Sequence, residues 1–231
     1  MQLYIKMVPS VRRRHLVVLL LAIGLSSSAR AMVGNAADDS IKRFLAQDDT
    51  QPAYRALRRL EAENGTRKGW IEVVTEYSPA AGFTYAITAE GGSSYIRSKV
   101  LKAILDGERE VIAQGETARS SLDLVNYSFQ ANGIDDSGFA NVLLSPRRKE
   151  RVLIKGMMAL NVADGALVRL QGRLAKNPSF WLKNVDIVRI YERIGGTVVP
   201  VDLETKAQVR FLGNATLHMT YVYTEIDGRQ L

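Results

Sequence analysis

Between Val125 and Ile226 the chain never sustains a helical period, and this long stretch decides the fold class. Eight β-prone runs fill it: Asn126–Gln130, Phe139–Leu144, Arg151–Val162, Leu167–Leu174, Val185–Glu192, Thr197–Leu203, Ala207–Leu212 and Leu217–Ile226. Turn pairs such as Asn132-Gly133, Asp164-Gly165 and Gly195-Gly196 separate them. Asp-Gly is a strong two-residue hairpin signal. The spacing predicts a meandering antiparallel sheet. Several runs are apolar on both faces: Val152, Ile154, Met158 and Leu160 oppose Leu153, Met157 and Ala159. A sheet with one wet face alternates more cleanly, so partial covering of the second face is expected.

Upstream the period changes twice. Ile41, Phe44 and Leu45 have helical spacing behind Ser40. Pro52 to Glu63 reads as a second helical piece, with Tyr54, Leu57 and Leu60 on one side and Arg55, Arg58 and Arg59 on the other. Ile71, Val73 and Tyr77 then alternate with Glu72, Val74 and Glu76. A turn follows at Ser78–Gly82, and Phe83, Tyr85 and Ile87 alternate in their turn. These two runs predict an antiparallel pair and bring the strand count to about ten. Gly91-Gly92-Ser93-Ser94 breaks the strand. A helix is expected over Ser94–Ala113, with Ile96, Val100, Leu101, Ile104, Leu105 and Ile112 as its apolar stripe and Arg97, Lys102, Glu108 and Arg109 opposite.

The N-terminus has the order of an export signal. Lys6 and Arg12-Arg13-Arg14 form a basic front, Leu16–Leu25 is apolar, and Ala29-Arg30-Ala31 places small residues at a cleavage site. The apolar run is too short to span a bilayer, which needs roughly 20 residues. The general secretory route fits it better than the twin-arginine route. The expected organisation is therefore a signal peptide over 1–31 cleaved after Ala31, a disordered segment over 32–39, and a single domain over 40–231. A lipoprotein requires Cys after the cleavage site; Met32 stands there and the chain has no Cys. The product is expected to be periplasmic and soluble, without a lipid anchor.

Removing the signal also removes the basic character. The chain of 231 residues carries 31 Lys+Arg against 24 Asp+Glu. Five of the basic residues lie in the signal, which leaves 26 against 24, a net of +2. Net charge then gives no support to nucleic-acid binding. Arg147-Arg148-Lys149 behind Pro146 reads as a solvated turn.

Catalytic chemistry has little to work with. His15 leaves with the signal, so His218 is the mature chain's one histidine. A zinc site built on Cys and His is excluded, and no Gly-x-Ser-x-Gly turn supports a serine nucleophile. Asp135-Asp136 lacks the ligand spacing of a calcium loop. No enzyme activity, cofactor or metal is expected. The aromatic residues Phe83, Tyr85, Phe180, Trp181, Tyr221 and Tyr223 are candidates for lining an apolar cavity.

Four stretches prompt a family resemblance: Asn126–Phe129, Leu144–Lys149, Gly172–Trp181 and Gly195–Pro200. With the order of signal, helix, strand pair, central helix and meander, the chain resembles the periplasmic lipoprotein-carrier superfamily (LolA/LolB-like and MucB/RseB-like), in an outer-membrane-lipoprotein-sorting-like branch. That resemblance implies an α+β fold: a curved antiparallel sheet, an incomplete β-barrel, with N-terminal and central helices over its concave face. It implies a non-enzymatic carrier, expected to be monomeric, that binds the acyl chains of lipid or lipoprotein. The candidate cavity and lid residues are Phe83, Tyr85, Ile87, Leu101, Leu105, Met158, Leu160, Trp181, Met219 and Tyr221. The alternative is a protein-interaction or stress-sensing module on the same fold, partnered by an envelope membrane protein. A secreted hydrolase and an outer-membrane barrel are the remaining readings; the internal helix and the polar end argue against the barrel.

Overall fold

The computed structural model describes residues 36–48, 50–177, 182–210 and 213–231. The expected export signal, Phe180 and Trp181 lie outside the described residues. Among those described, no helix is long and apolar enough to cross a membrane.

A helix, α1, covers 36–45. Three strands follow: β1 (Tyr54–Asn64), β2 (Arg67–Ser78) and β3 (Gly82–Gly92). A helical segment comes next. It opens as α2 (Ser94–Ile96), widens into a π-helical turn (Arg97–Leu101) and returns to α geometry in α3 (Lys102–Ala113), with a short 3-10 turn (Glu116–Ser120) behind it. The meander is β4 (Tyr127–Ile134), β5 (Phe139–Pro146), β6 (Ile154–Asn161), β7 (Leu167–Leu174), β8 (Leu182–Ile194), β9 (Thr197–Val209) and β10 (Gly213–Ile226), and β11 (Arg229–Gln230) folds back on β10.

All strands join one antiparallel sheet in the order β3-β2-β1-β10-β9-β8-β7-β6-β5-β4. β1 and β10, far apart in sequence, lie side by side, with Tyr54 opposite Ile226 and Leu60 opposite Met219. The edges β3 and β4 are not paired to each other, so the barrel is incomplete. The helical segment connects those two edges and packs back on β1, β2 and β3. The expected α+β incomplete barrel is the observed architecture.

Three expectations from the sequence change. Pro52–Glu63 is not helical: Tyr54–Asn64 is a central strand whose buried positions Tyr54, Ala56, Arg58, Leu60 and Ala62 repeat every second residue. A charge at one buried position concealed the alternation. Thr197–Leu203 and Ala207–Leu212 belong to one strand as far as Val209, Phe211 and Leu212 lying outside the described residues. Residues 36–39, expected disordered, are helical, and Ser40 sits inside α1, where its hydroxyl donates to the Ala36 carbonyl at 2.8 Å.

The expected covering of the second sheet face is not found among the described residues. Val222 and Leu57, paired across β10 and β1 on the convex face, are 60% and 40% exposed. A bulge explains part of the two-faced pattern: the register against β6 skips Val168 of β7, so Leu167 and Leu170, three residues apart, are both buried, as an extra residue in one strand flips the side chains beyond it.

The core lies on the concave face in two main parts. One packs Tyr127, Val142, Met158 and Leu170 beneath Ala37, Ile41 and Phe44 of α1. The other packs Leu60, Ile71, Val73, Leu203 and Met219 beneath Ile96, Leu101 and Leu105. A smaller cluster of Tyr54, Ala56, Val199, Tyr223 and Ile226 borders the second, with Tyr77 and Tyr221 packed against both. Gly165, at the tip of the β6–β7 hairpin with φ of +74°, lets α1 approach: a Cβ there would stand 2.6 Å from the Phe44 nitrogen. Arg43 and Gln47 then donate to the Val162 and Asp164 carbonyls at 2.8 and 3.0 Å.

Candidate functional site

Side-chain alternation along each strand, combined with the register between strands, builds a continuous row across the concave face. Val142, Met158, Leu170, Arg189, Leu203, Met219, Leu60 and Ile71 are successive cross-strand neighbours from β5 to β2. All are buried apolar residues except Arg189, which is partly buried. Direct cross-strand partners share a face, so Arg189 points to the same concave side as Leu170 and Leu203. It stands at the seam between the two main core clusters, since Leu170 belongs to one and Leu203 to the other.

The helical segment acts as the cover of the β1–β3 end. Ile96, Leu101 and Leu105 are its fully buried side chains, at spacings of five and then four. An α-helix would rotate the fifth residue off the buried face; the π-helical turn over Arg97–Leu101 restores Leu101 to it. Burying side chains of this size stabilises by about 1.5–3 kcal/mol each.

Three polar ties hold this cover to the sheet. At its centre, Arg58 of β1 is 3% exposed and donates to both Glu108 oxygens, Nη1 to Oε2 at 2.7 Å and Nη2 to Oε1 at 3.1 Å. Nη2 also reaches the Tyr54 hydroxyl. The guanidinium carbon lies 4.7, 5.1 and 5.6 Å from the ring centres of Tyr221, Phe83 and Tyr54. Burial is the largest single influence on Arg58 and pulls its pKa down. Glu108, with Tyr221 and Tyr54, outweighs it and pushes the pKa further up, so the cation persists. At the rim, the Tyr85 hydroxyl donates to Asp106 Oδ1 at 2.8 Å, and Arg109 pairs with the same oxygen at 2.7 Å. Glu90 of β3 pairs with Arg97 and lies 3.6 Å from Lys102.

Phenols surround Arg58. Burial pushes the pKa of Tyr54, Tyr221 and Tyr223 up. The Tyr223 hydroxyl donates to the Pro200 carbonyl at 2.9 Å. The interior therefore keeps neutral phenols beside a retained cation.

Seven of the candidate cavity and lid residues converge beneath the helix: Phe83, Leu101, Leu105 and Met219 buried, with Tyr85, Ile87 and Tyr221 packed against them. Met158 and Leu160 lie in the other cluster, beneath α1. Trp181 lies outside the described residues. Local pattern does not single out Arg58, Glu108 or Arg189. It puts Glu108 on the outward face of its helix, whereas the carboxylate turns to the sheet. With β1 read as helical, Arg58 has no place opposite it. A period-two reading of Tyr54 to Ala62 puts Arg58 among the inward residues.

Other polar groups are tied elsewhere. His218 lies 2.6 Å from Asp202 and is exposed. Asp135 accepts from the Ser137 and Phe139 amides at 3.0 Å each, which makes it a turn-forming residue. No group of three or more His, Asp or Glu able to hold a metal occurs among the described residues. Arg147 is not simply solvated; its Nε donates to the Leu124 and Tyr127 carbonyls.

No protein-family model matches the chain, and no curated protein sequence matches it. Two solved structures are similar in fold. One is a LolA superfamily protein from Nitrosomonas europaea, at 10% identity and a TM-score of 0.40, covering 84% of this chain and 94% of that one. The other is a DUF1329 family protein from Desulfovibrio piger, at 9% identity and a TM-score of 0.40, covering 82% and 91%.

Proposed function

We propose that the protein is a soluble periplasmic carrier that holds acyl chains of lipid or lipoprotein against the concave sheet, beneath the helical cover. One observation carries this reading. A nearly unbroken apolar row crosses the concave face of an open sheet and is capped by a separate helical segment tied to it through a partly buried ion pair. A packed core alone does not require such a tie. A cover that must both seat and lift gains from one strong central contact, because that contact selects the closed position.

The energetics fit an exchange. A sixteen-carbon chain gains on the order of 12 kcal/mol on leaving water, at about 0.8 kcal/mol per methylene. Lifting Leu101 and Leu105 off the sheet forfeits their burial, and an entering chain replaces those contacts. The empty protein stays covered and avoids exposing an aggregation-prone hollow. The carrier needs neither cofactor nor catalytic residue.

A second reading is a non-enzymatic interaction or stress-sensing module that docks on an envelope membrane protein. The filled space beneath the helix favours it, since Leu101, Leu105 and Met219 already occupy that face. Purification from a periplasm without detergent, followed by mass spectrometry of extracted lipid, separates the two. A stoichiometric acyl species supports the carrier. A lipid-free protein that also fails to bind a fluorescent fatty-acid probe rejects it.

A further inference from the structure

The concave face carries more cation than anion. Arg58 has the Glu108 carboxylate. Arg189, on the same face and in the same row as Leu170 and Leu203, has no carboxylate within ion-pair distance among the described residues. Its Nε atom is buried without a hydrogen-bond partner, as is that of Arg58. Tyr191, which also shares a side-chain hydrogen bond with it, is the group that most supports its charge, ahead of the burial that opposes it, with Tyr221 and Glu108 further influences. Tyr221 also stacks under Arg58 and feels both guanidiniums, which places the two cations in one neighbourhood.

Burying a cation without a counter-ion is costly, and a planar guanidinium fork suits an oxyanion. The location adds a second constraint. Arg189 interrupts an otherwise apolar row, at the seam where the core under α1 meets the core under α3. A ligand engaging it would have apolar surface on either side of its charged group.

We propose that the concave site takes an anionic amphiphile, a single acyl chain ending in an ionised oxyanion head, with Arg189 holding the head and the flanking apolar row holding the chain. This deepens the carrier reading and rests on it. The head supplies the missing counter-charge. Arg58 remains engaged with Glu108 and adds to the positive field.

The test compares three probes on the exported protein by calorimetry at pH 8: dodecanoate, dodecan-1-ol and inorganic phosphate. Dodecanoate is expected to bind at least about tenfold more tightly than the alcohol, the scale of one charge-assisted hydrogen-bonded contact. Arg189→Met is expected to remove that preference and leave alcohol binding in place, while Arg189→Lys retains part of it. Arg169→Met, at an exposed cation of β7, should change neither. Equal affinity of the wild-type protein for dodecanoate and dodecanol overturns this inference and leaves the carrier reading standing. Failure of both chains to bind overturns the carrier reading and the inference with it. Phosphate binding as tight as dodecanoate, with the same Arg189 dependence, overturns the amphiphile in favour of a simple anion site. The wild-type comparison stands even if Arg189→Met does not fold.

Discussion

Arg58 on β1 and Glu108 on α3 meet in a two-point ion pair, at 2.7 and 3.1 Å, that joins the centre of the sheet to the centre of its cover. The arginine is buried and the carboxylate is about one-third exposed, at 31%. Glu108 thus reaches in from the solvent side while Arg58 stays among aromatic rings.

Removing the carboxylate leaves that cation with only phenols. Glu108→Gln is expected to cost about 2–4 kcal/mol, below the roughly 3–5 kcal/mol of a fully buried pair broken on one side because Glu108 retains water. Urea unfolding measures the loss. Hydrogen exchange should also quicken over 94–113 more than over β5–β7. Uniform acceleration across the sheet would contradict a tie specific to the cover.

The apolar seat can be tested at Leu101 and Leu105. Both are fully buried, so Asp at either place exchanges an apolar contact for a buried charge. Loss of stability of about 3–5 kcal/mol, or insolubility, is expected. Val125→Asp is the control: this side chain is 75% exposed, and its change should stay within about 0.5 kcal/mol. Wild-type stability and fatty-acid binding in Leu105→Asp would refute the role of the cover.

Alkaline pH should loosen the fold through the phenols. Burial raises the folded pKa of Tyr54, Tyr221 and Tyr223 above the ordinary value of 10.0. In the unfolded chain they ionise near that value, while in the folded protein they stay protonated. Their stabilising contribution is therefore complete below pH 10 and falls as pH rises through 10 toward the folded values. Unfolding midpoints measured from pH 8 to 11 should decline, and Tyr54→Phe or Tyr223→Phe should flatten the decline. A slope unchanged in the double variant would reject this origin.

The seat of α1 depends on Gly165. Alanine there faces a positive φ and a contact of 2.6 Å to the Phe44 backbone. Gly165→Ala is expected to destabilise by more than about 1 kcal/mol. Limited proteolysis should cut within 36–48 faster, with β1–β3 unaffected. Equal cleavage rates would show that the hairpin tip tolerates the added methyl.

Legibility followed the periodicity. Leu167–Leu174 carries turn signals at both ends, and its bounds match the observed β7. The Phe83, Tyr85 and Ile87 alternation likewise placed β3. β1 was not legible, since Arg58 occupies an inward position and Leu57 an outward one, which inverts the expected pattern over the middle of the strand. The π-helical turn was also hidden. Ile96, Leu101 and Leu105 looked like an ordinary stripe, and only their seating on β1–β3 shows that a fifth-residue step is needed.

The sequence by itself determined the fold class, the strand-rich meander, the central amphipathic helix and most of the apolar residues that meet beneath it. These follow from local periods of two and of about 3.6, which neighbouring residues encode. The tertiary structure alone decided that β1 pairs with β10, that the helix bridges the two free edges, and that Arg58, Glu108 and Arg189 share the concave side. Those relations join residues far apart in the chain. Whether a charged side chain turns inward depends on the partner waiting there, and no local pattern records that partner.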